Sequence, residues 1–247
     1  MSWALDLDEV VWLGTDDIPG AADAVARLQA AGEKVLFVTN NSGRRVVDVE
    51  AKLASHGIDA MGGVITSGMA AARMVEPGEI VLGMCGAGAR EELEAVGAIV
   101  VREGPADTVL VGMHEDFDYW RLTAGGQAGL GGARLLATNE DVSWPAEDGI
   151  RPGAGALVAA VAAATGVTPV FAGKPHQPIC DLVLDAAGPA GTVVGDRPDT
   201  DGLLARALGW NFALVLSGVL GDAGMPFDPV PDSVHADLAA VVDEALG

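Results

Sequence analysis

Short apolar runs alternate with segments in which apolar residues recur every three or four positions, and this alternation continues along most of the chain. Continuous apolar runs of four to eight residues mark buried strands, and a period near 3.6 marks helices. Their alternation predicts an α/β fold with parallel strands. Residues 3–7 read as the first strand. A helix follows with Pro19 at its start, Ala22, Val25 and Leu28 on one face, and Gly32 as its stop. Val35–Val38 is a β-rich run that ends in Thr39-Asn40-Asn41-Ser42-Gly43. The next helix carries Val46, Val49 and Leu53 in phase and closes at Gly57, and Val64–Ile65 gives a third strand. Further strands are predicted at Val170–Ala172, Thr192–Val194 and Phe212–Leu216, with helices over 158–164 and 200–208. The middle of the chain has strands of its own at Ile80–Leu82, Ile99–Val101, Thr108–Val111 and Leu135–Ala137, and the glycine-rich stretch Gly125 to Gly132 reads as a loop. The pattern predicts one α/β core interrupted by a second domain.

The polar motifs fall at the C-terminal ends of predicted strands, the edge at which open α/β sheets bind ligands. Asp6-Leu7-Asp8 closes the first strand, and two carboxylates there suit a nucleophile and a general acid, or a shared divalent cation. Thr39-Asn40-Asn41 offers a hydroxyl and backbone amides to phosphoryl oxygens, although an Asn-rich turn has the same composition. Lys174, in Gly173-Lys174-Pro175, can neutralise phosphate charge, where a surface lysine is the plainer reading. Gly195-Asp196-Arg197-Pro198-Asp199-Thr200-Asp201 places three carboxylates between a strand and a helix, with Asp199 or Thr200 able to act merely as a cap. Gly86 and Gly88 imitate a dinucleotide fingerprint, but Glu91 stands where a third glycine belongs. His114 lacks metal-ligand spacing and reads as a loop residue; His56, at a helix end, suits the helix dipole.

In this order, at these strand ends, the four motifs resemble the haloacid dehalogenase superfamily, and within it the branch of 4-nitrophenylphosphatases, NagD, and the phosphoglycolate, glycerol-phosphate and pyridoxal phosphate phosphatases. The resemblance runs from Trp3 to about Val219 and includes Ala137-Thr138-Asn139-Glu140-Asp141, Pro145 and Arg151-Pro152-Gly153-Ala154-Gly155. It implies a Rossmann-like parallel-sheet core of residues 1–75 and 170–247, with an α/β cap domain at 76–169. It also implies a phosphatase that hydrolyses a small phosphorylated metabolite through an aspartyl-phosphate on Asp6. Asp8 would be the acid and base, with its backbone carbonyl on the metal. Asp6 and Asp196 would supply side-chain oxygens to the Mg²⁺ site, Asp201 would support it through water or a hydrogen bond, and Thr39, Asn40, Asn41 and Lys174 would hold the phosphoryl group. A phosphotransferase on the same aspartate, or a phosphometabolite-binding protein with weakened turnover, are the alternatives.

Two residues depart from the family pattern. Glu9 stands where glycine usually follows the second aspartate, and its carboxylate is expected to approach the incoming phosphate, the alternative being that it points into solvent or contacts the cap. On that expectation Glu9→Gly improves kcat/KM, less so at high salt. Trp144 stands before Pro145 where the pyridoxal phosphatases have a histidine that meets the substrate. This ranks pyridoxal phosphate below glycolate, glycerol and sugar phosphates, and makes Trp144 either a substrate contact or a packed cap residue.

Composition changes this picture in a few places. Net charge is −21, from 35 acidic and 14 basic residues, and there are only three lysines: Lys34, Lys52 and Lys174. Such a chain repels nucleic acid and anionic membranes, so neither is expected as a partner. An anionic substrate then needs a locally positive site, which a metal ion and Lys174 supply. Two distant cysteines, Cys85 and Cys180, no apolar run of the roughly 18 residues needed to span a bilayer, and no basic N-terminal signal point to the cytoplasm. A homodimer is the expected assembly from the resemblance.

Overall fold

The computed structural model describes residues 1–146, 149–218 and 227–247. Val219, the far end of the resemblance, lies outside the described residues. The chain divides into two compact units. The first comprises Met1–Thr39, Val47–Ile65 and Lys174–Gly247, and the second comprises Asn40–Val46 and Thr66–Gly173. The larger piece of the second unit begins ten residues before 76 and ends four after 169, with the short segment 40–46 added to it.

The first unit is built on a six-stranded sheet in the order Ser233–His235, Asn211–Val215, Thr192–Gly195, Ser2–Leu5, Lys34–Thr39, Val64–Thr66. From Ser233–His235 through to Lys34–Thr39 every pairing is parallel. Renumbered along the chain, the order is 3-2-1-4-5-6, the doubly wound arrangement of a Rossmann-like sheet. Its strands are continuous apolar runs because helices cover both faces: Phe37, Phe212, Leu5 and Leu36 are almost wholly buried. The helix Ala21–Ala30 starts two residues past Pro19 and buries Ala21, Ala24, Val25 and Leu28, an i, i+3, i+4, i+7 stripe. Strand order reverses between Ser2–Leu5 and Thr192–Gly195, and this crevice is the ligand-binding position of such sheets.

The second unit has a five-stranded sheet in the order Val170–Phe171, Arg134–Ala137, Thr108–Val111, Ile80–Met84, Ile99–Val101, all of its pairings parallel. A two-stranded antiparallel ribbon, Ser143–Ala146 with Gly149–Pro152, stands apart from it. The glycine-rich stretch that reads as a loop is instead mostly helix, from Tyr119 to Leu130. Glycine costs a helix roughly 1 kcal/mol relative to alanine, yet here it permits close packing. A Cβ at Gly125 would lie 2.5 Å from Met84 Sδ, and one at Gly129 would lie 2.6 Å from Thr165 Cγ2. Backbone approach to the sheet on one side and to the helix Ala154–Thr165 on the other outweighs the lost propensity.

Gly86 and Gly88 also serve packing. The amides of Gly88 and Ala89, at the start of the helix Ala87–Ala95, donate to the carbonyls of Gly43 (3.1 Å) and Ser42 (2.9 Å). A Cβ on Gly88 would overlap the Arg44 carbonyl. The donors that would cradle a pyrophosphate are therefore committed to the segment 40–46, which excludes the dinucleotide reading on physical grounds. No helix among the described residues is long and apolar enough to cross a membrane. Cys85 and Cys180 are buried free thiols, and burial raises both above the ordinary thiol range, to about 11.

Candidate active site

Asp6 and Asp196 follow the two strands that flank the reversal of strand order. Asp6 N continues the parallel ladder by donating to Val194 O at 2.9 Å, which fixes where its side chain leaves the sheet. Asp196 follows Gly195 directly, and the chain then winds through a wide helical turn, Pro198–Gly202, that contains Asp201. Arg197 N donates to Asp201 Oδ2 at 3.3 Å. Lys174 enters from the start of the last segment of the first unit. Its ammonium donates to Asp6 Oδ1 at 2.8 Å and to Asp201 Oδ1 at 2.7 Å, and it is only 2 % exposed. One carboxylate oxygen from each of Asp6, Asp196 and Asp201 lies within 4.8 Å of the others.

The electrostatics of this cluster are unbalanced. Burial, then the Asp201 and Asp6 carboxylates and Glu9, push the Asp196 carboxyl far above the usual range. Asp201 is also raised, by burial foremost and Asp6, against the pull of Lys174. For Lys174, burial alone would lower the pKa; Asp201 and Asp6 outweigh it, and the net movement is upward. Asp196 Oδ2 is buried with no hydrogen-bond partner among the described residues. A buried set of hard oxygen donors, one of them orphaned, facing a single cation is the donor chemistry of a divalent metal site, and these residues fit one.

Asp8 contributes no side-chain oxygen to this cluster. Its carboxylate is open to solvent yet ringed by protein; that partial dehydration, then the Asp6 charge, raises its pKa, while the Trp12 N–H, Lys52 and Lys174 oppose the rise. Thr39 is buried at the end of Lys34–Thr39, the strand beside Ser2–Leu5, and so lies on the same sheet edge as Asp6.

Glu9 is neither exposed nor aimed outward. It is 6 % exposed, in the left-handed region at φ 65°, with its amide bonded to Trp12 O and its carbonyl to Ser217 Oγ (2.7 Å). Its side chain hydrogen-bonds the Asp196 carboxyl. The expectation of a carboxylate directed at incoming phosphate gives way to a buried neighbour of a metal-type aspartate. Sequence could have shown that a position usually held by glycine needs a left-handed backbone, but not where the side chain would turn.

Asn40 and Asn41 belong to the second unit. Asn40 Nδ2 donates to Asp141 Oδ2 at 2.9 Å, and its carbonyl accepts from Ser67 Oγ (2.6 Å) and Asn139 Nδ2 (2.7 Å). Asn41 Oδ1 accepts from Gly43 N. Trp144 is half-buried on the ribbon, with the Arg151 guanidinium 5.8 Å from its ring centroid and its own Nε1 without a partner among the described residues. The first unit thus brings together Asp6, Lys174, Asp196 and Asp201, with Asp8, Glu9 and Thr39 adjoining, while Asn40, Asn41 and Trp144 sit on the second. Trp12, whose indole reaches Asp8, was missed by sequence reasoning; the signal was an aromatic residue four positions after a candidate acid. His114 is a loop residue but buried, bonded through Nδ1 to Gly112 O. His56 pairs with Asp17 at its helix end.

Comparison with known proteins agrees with this geometry. A family model described as haloacid dehalogenase-like hydrolase matches residues 3–99, and a second, HAD-hydrolase-like, matches 171–241. An acid sugar phosphatase of Staphylococcus saprophyticus is 36 % identical over 207 residues, 81 % of this chain and 80 % of that protein. The p-nitrophenyl phosphatase of Archaeoglobus fulgidus superposes with a TM-score of 0.91 at 31 % identity, covering 98 % of each chain. The glycerol phosphate phosphatase of Mycobacterium tuberculosis, in complex with calcium, gives 0.89 at 32 %, covering 97 % of this chain and 74 % of that one. With a Rossmann-like sheet, an inserted α/β unit and a buried aspartate cluster at the strand reversal, the chain belongs to the haloacid dehalogenase-like hydrolases and is a phosphatase of small phosphorylated metabolites.

Proposed function

We propose that the protein is a Mg²⁺-dependent phosphomonoesterase of the cytoplasm that works through an aspartyl-phosphate on Asp6. The observation that carries this reading is the Lys174 bridge between Asp6 and Asp201, with Asp196 in the same buried cluster. Lys174 orients Asp6, with Oδ1 engaged and the other oxygen available to attack phosphorus. Asp6, Asp196 and Asp201, with the backbone carbonyl of Asp8, would hold the metal. When bound, it neutralises charge on the carboxylates and on the phosphoryl oxygens. Thr39, Asn40 and Asn41 bind those oxygens. Asp8, whose pKa is raised above the ordinary carboxylate range by burial and then by the Asp6 charge, gives a proton to the leaving alkoxide and then takes one from the water that hydrolyses the acyl phosphate.

The second unit acts as the cap that meets the leaving group, with Trp144 as a contact. The names of the sugar phosphatase and glycerol phosphate phosphatase relatives support a sugar or glycerol phosphate as substrate. Phosphate release from glycerol phosphate, phosphoglycolate and 4-nitrophenyl phosphate tests the reading. EDTA should abolish turnover, Mg²⁺ should restore it, and Asp6→Asn should be inactive with its thermal unfolding profile retained. Appreciable turnover by Asp6→Asn refutes the covalent route.

A further inference from the structure

A tryptophan holds the carboxylate of Asp8. Trp12 is 3 % exposed, and its Nε1–H donates to Asp8 Oδ1 at 2.8 Å. The residue lies in a small antiparallel hairpin, Trp12–Leu13 with Asp16–Asp17, and Asp8 itself bridges back to Trp12. The hairpin is fastened to the end of the helix Val46–Ser55 by two residues four apart. Lys52 Nζ stands 3.8 Å from the centroid of the Trp12 ring and donates to Gly14 O at 3.1 Å. His56 stacks on the same ring, with centroids 5.2 Å apart and planes at 28°, and pairs with Asp17 through Nδ1. Residues at i and i+4 share a helix face, so one face holds both the ring and the strand opposite it.

An indole N–H donates and never accepts. Asp8 Oδ1 is therefore kept as an acceptor, and the acid form of Asp8 carries its proton on Oδ2. We infer that Trp12 is a positioning residue that fixes the Asp8 carboxyl plane and determines which oxygen exchanges protons with the leaving group and with water. The inference rests on the reading of Asp8 as the acid and base. In the first step the Asp6–phosphorus bond forms as the bond from phosphorus to the leaving oxygen breaks, and the Oδ2 proton passes to that oxygen. In the second, water oxygen attacks phosphorus, its proton returns to Asp8, and Asp6 and inorganic phosphate are released. Lys52, lying on the ring, keeps the indole from rotating away and places a positive charge near Asp8.

The test compares phenyl phosphate with 4-nitrophenyl phosphate. The two have nearly the same shape, but phenolate is much the more basic leaving group and depends on a proton that 4-nitrophenolate does not need. Their kcat/KM values report the first step alone. General acid catalysis contributes about 10²–10⁴-fold, so Asp8→Asn should lower kcat/KM for phenyl phosphate at least about tenfold more than for 4-nitrophenyl phosphate. Trp12→Phe keeps an aromatic face for Lys52 and His56 and removes the N–H together with part of the indole. It should show the same selectivity at roughly three- to tenfold, and Lys52→Met should show a smaller loss of the same kind. Equal losses on both substrates, or no loss, in Trp12→Phe overturn the inference while leaving the role of Asp8 standing. An unselective Asp8→Asn overturns the role of Asp8 itself. If Trp12→Phe does not fold, Lys52→Met decides by the same criterion.

Discussion

Replacing Glu9 by glycine should stabilise the metal-free protein, because it removes two costs that the structure places on one residue. The first is the backbone: at φ 65° a residue with a Cβ is disfavoured by about 1–2 kcal/mol, which glycine avoids. Glycine's greater freedom in the unfolded chain takes back about 0.5–1 kcal/mol, leaving a net gain of about 0.5–1 kcal/mol. The second is the buried carboxyl against Asp196, in a cluster where Lys174 already serves Asp6 and Asp201. Removing this carboxyl lifts an acidic neighbour from Asp196 but also takes away the hydrogen bond between them, a net gain of roughly 1 kcal/mol. The combined gain, about 2 kcal/mol, corresponds to roughly 4–8 °C in Tm for a chain of this length. Thermal unfolding in EDTA and in saturating Mg²⁺ measures it. The Glu9→Gly advantage should be largest in EDTA and shrink by about half in Mg²⁺, since the cation offsets the carboxylate excess and leaves only the backbone share. A variant that unfolds at or below the parent temperature in EDTA refutes the reasoning. An identical advantage in both conditions removes its electrostatic half. Burial also reverses one expectation drawn from sequence: screening acts weakly on buried charges, so any kcat/KM benefit of Glu9→Gly should persist at high salt.

Lys174→Met should abolish turnover and lower stability by about 3–5 kcal/mol in urea unfolding, because two buried carboxylates lose their shared cation; an unchanged midpoint refutes the bridge. Trp144→Ala should change the rates for glycerol phosphate and phosphoglycolate relative to each other, while 4-nitrophenyl phosphate hydrolysis changes less than about threefold. Equal losses on all three identify Trp144 as packing.

The core strands were legible because they are buried on both faces. Val35–Val38 and Thr192–Val194 read as unbroken apolar runs, and their polar successors mark the strand ends. Asp6, Lys174 and Asp196 were legible for the same reason, since each sits beside a strand end or an abrupt Gly-containing turn. What sequence could not show depends on contacts distant along the chain. Gly125 and Gly129 look like a loop until Met84 and Thr165 are seen to occupy the space a Cβ would take. Glu9 reads as a carboxylate that approaches the incoming phosphate until Ser217 and Asp196, about 200 residues away, are seen to hold it in. Thr39 and Asn40 are adjacent in sequence, yet hydrogen bonds to Ser67, Asn139 and Asp141 attach Asn40 to a different unit from Thr39.

The seating of Ser42 and Gly43 on the helix start at Gly88 and Ala89 bears on how such enzymes can be recombined. The chain crosses from one unit to the other after residues 39, 46, 65 and 173, so the second unit is assembled from two separate pieces. A graft of residues 66–173 onto a relative would leave the amides of Gly88 and Ala89 to a foreign loop, with Gly86 and Gly88 admitting only a backbone that approaches as closely as Gly43 and Arg44 do. Specificity exchanged between members of this family would therefore travel intact only when the seven residues 40–46 move with the larger piece, as one transplant in two segments.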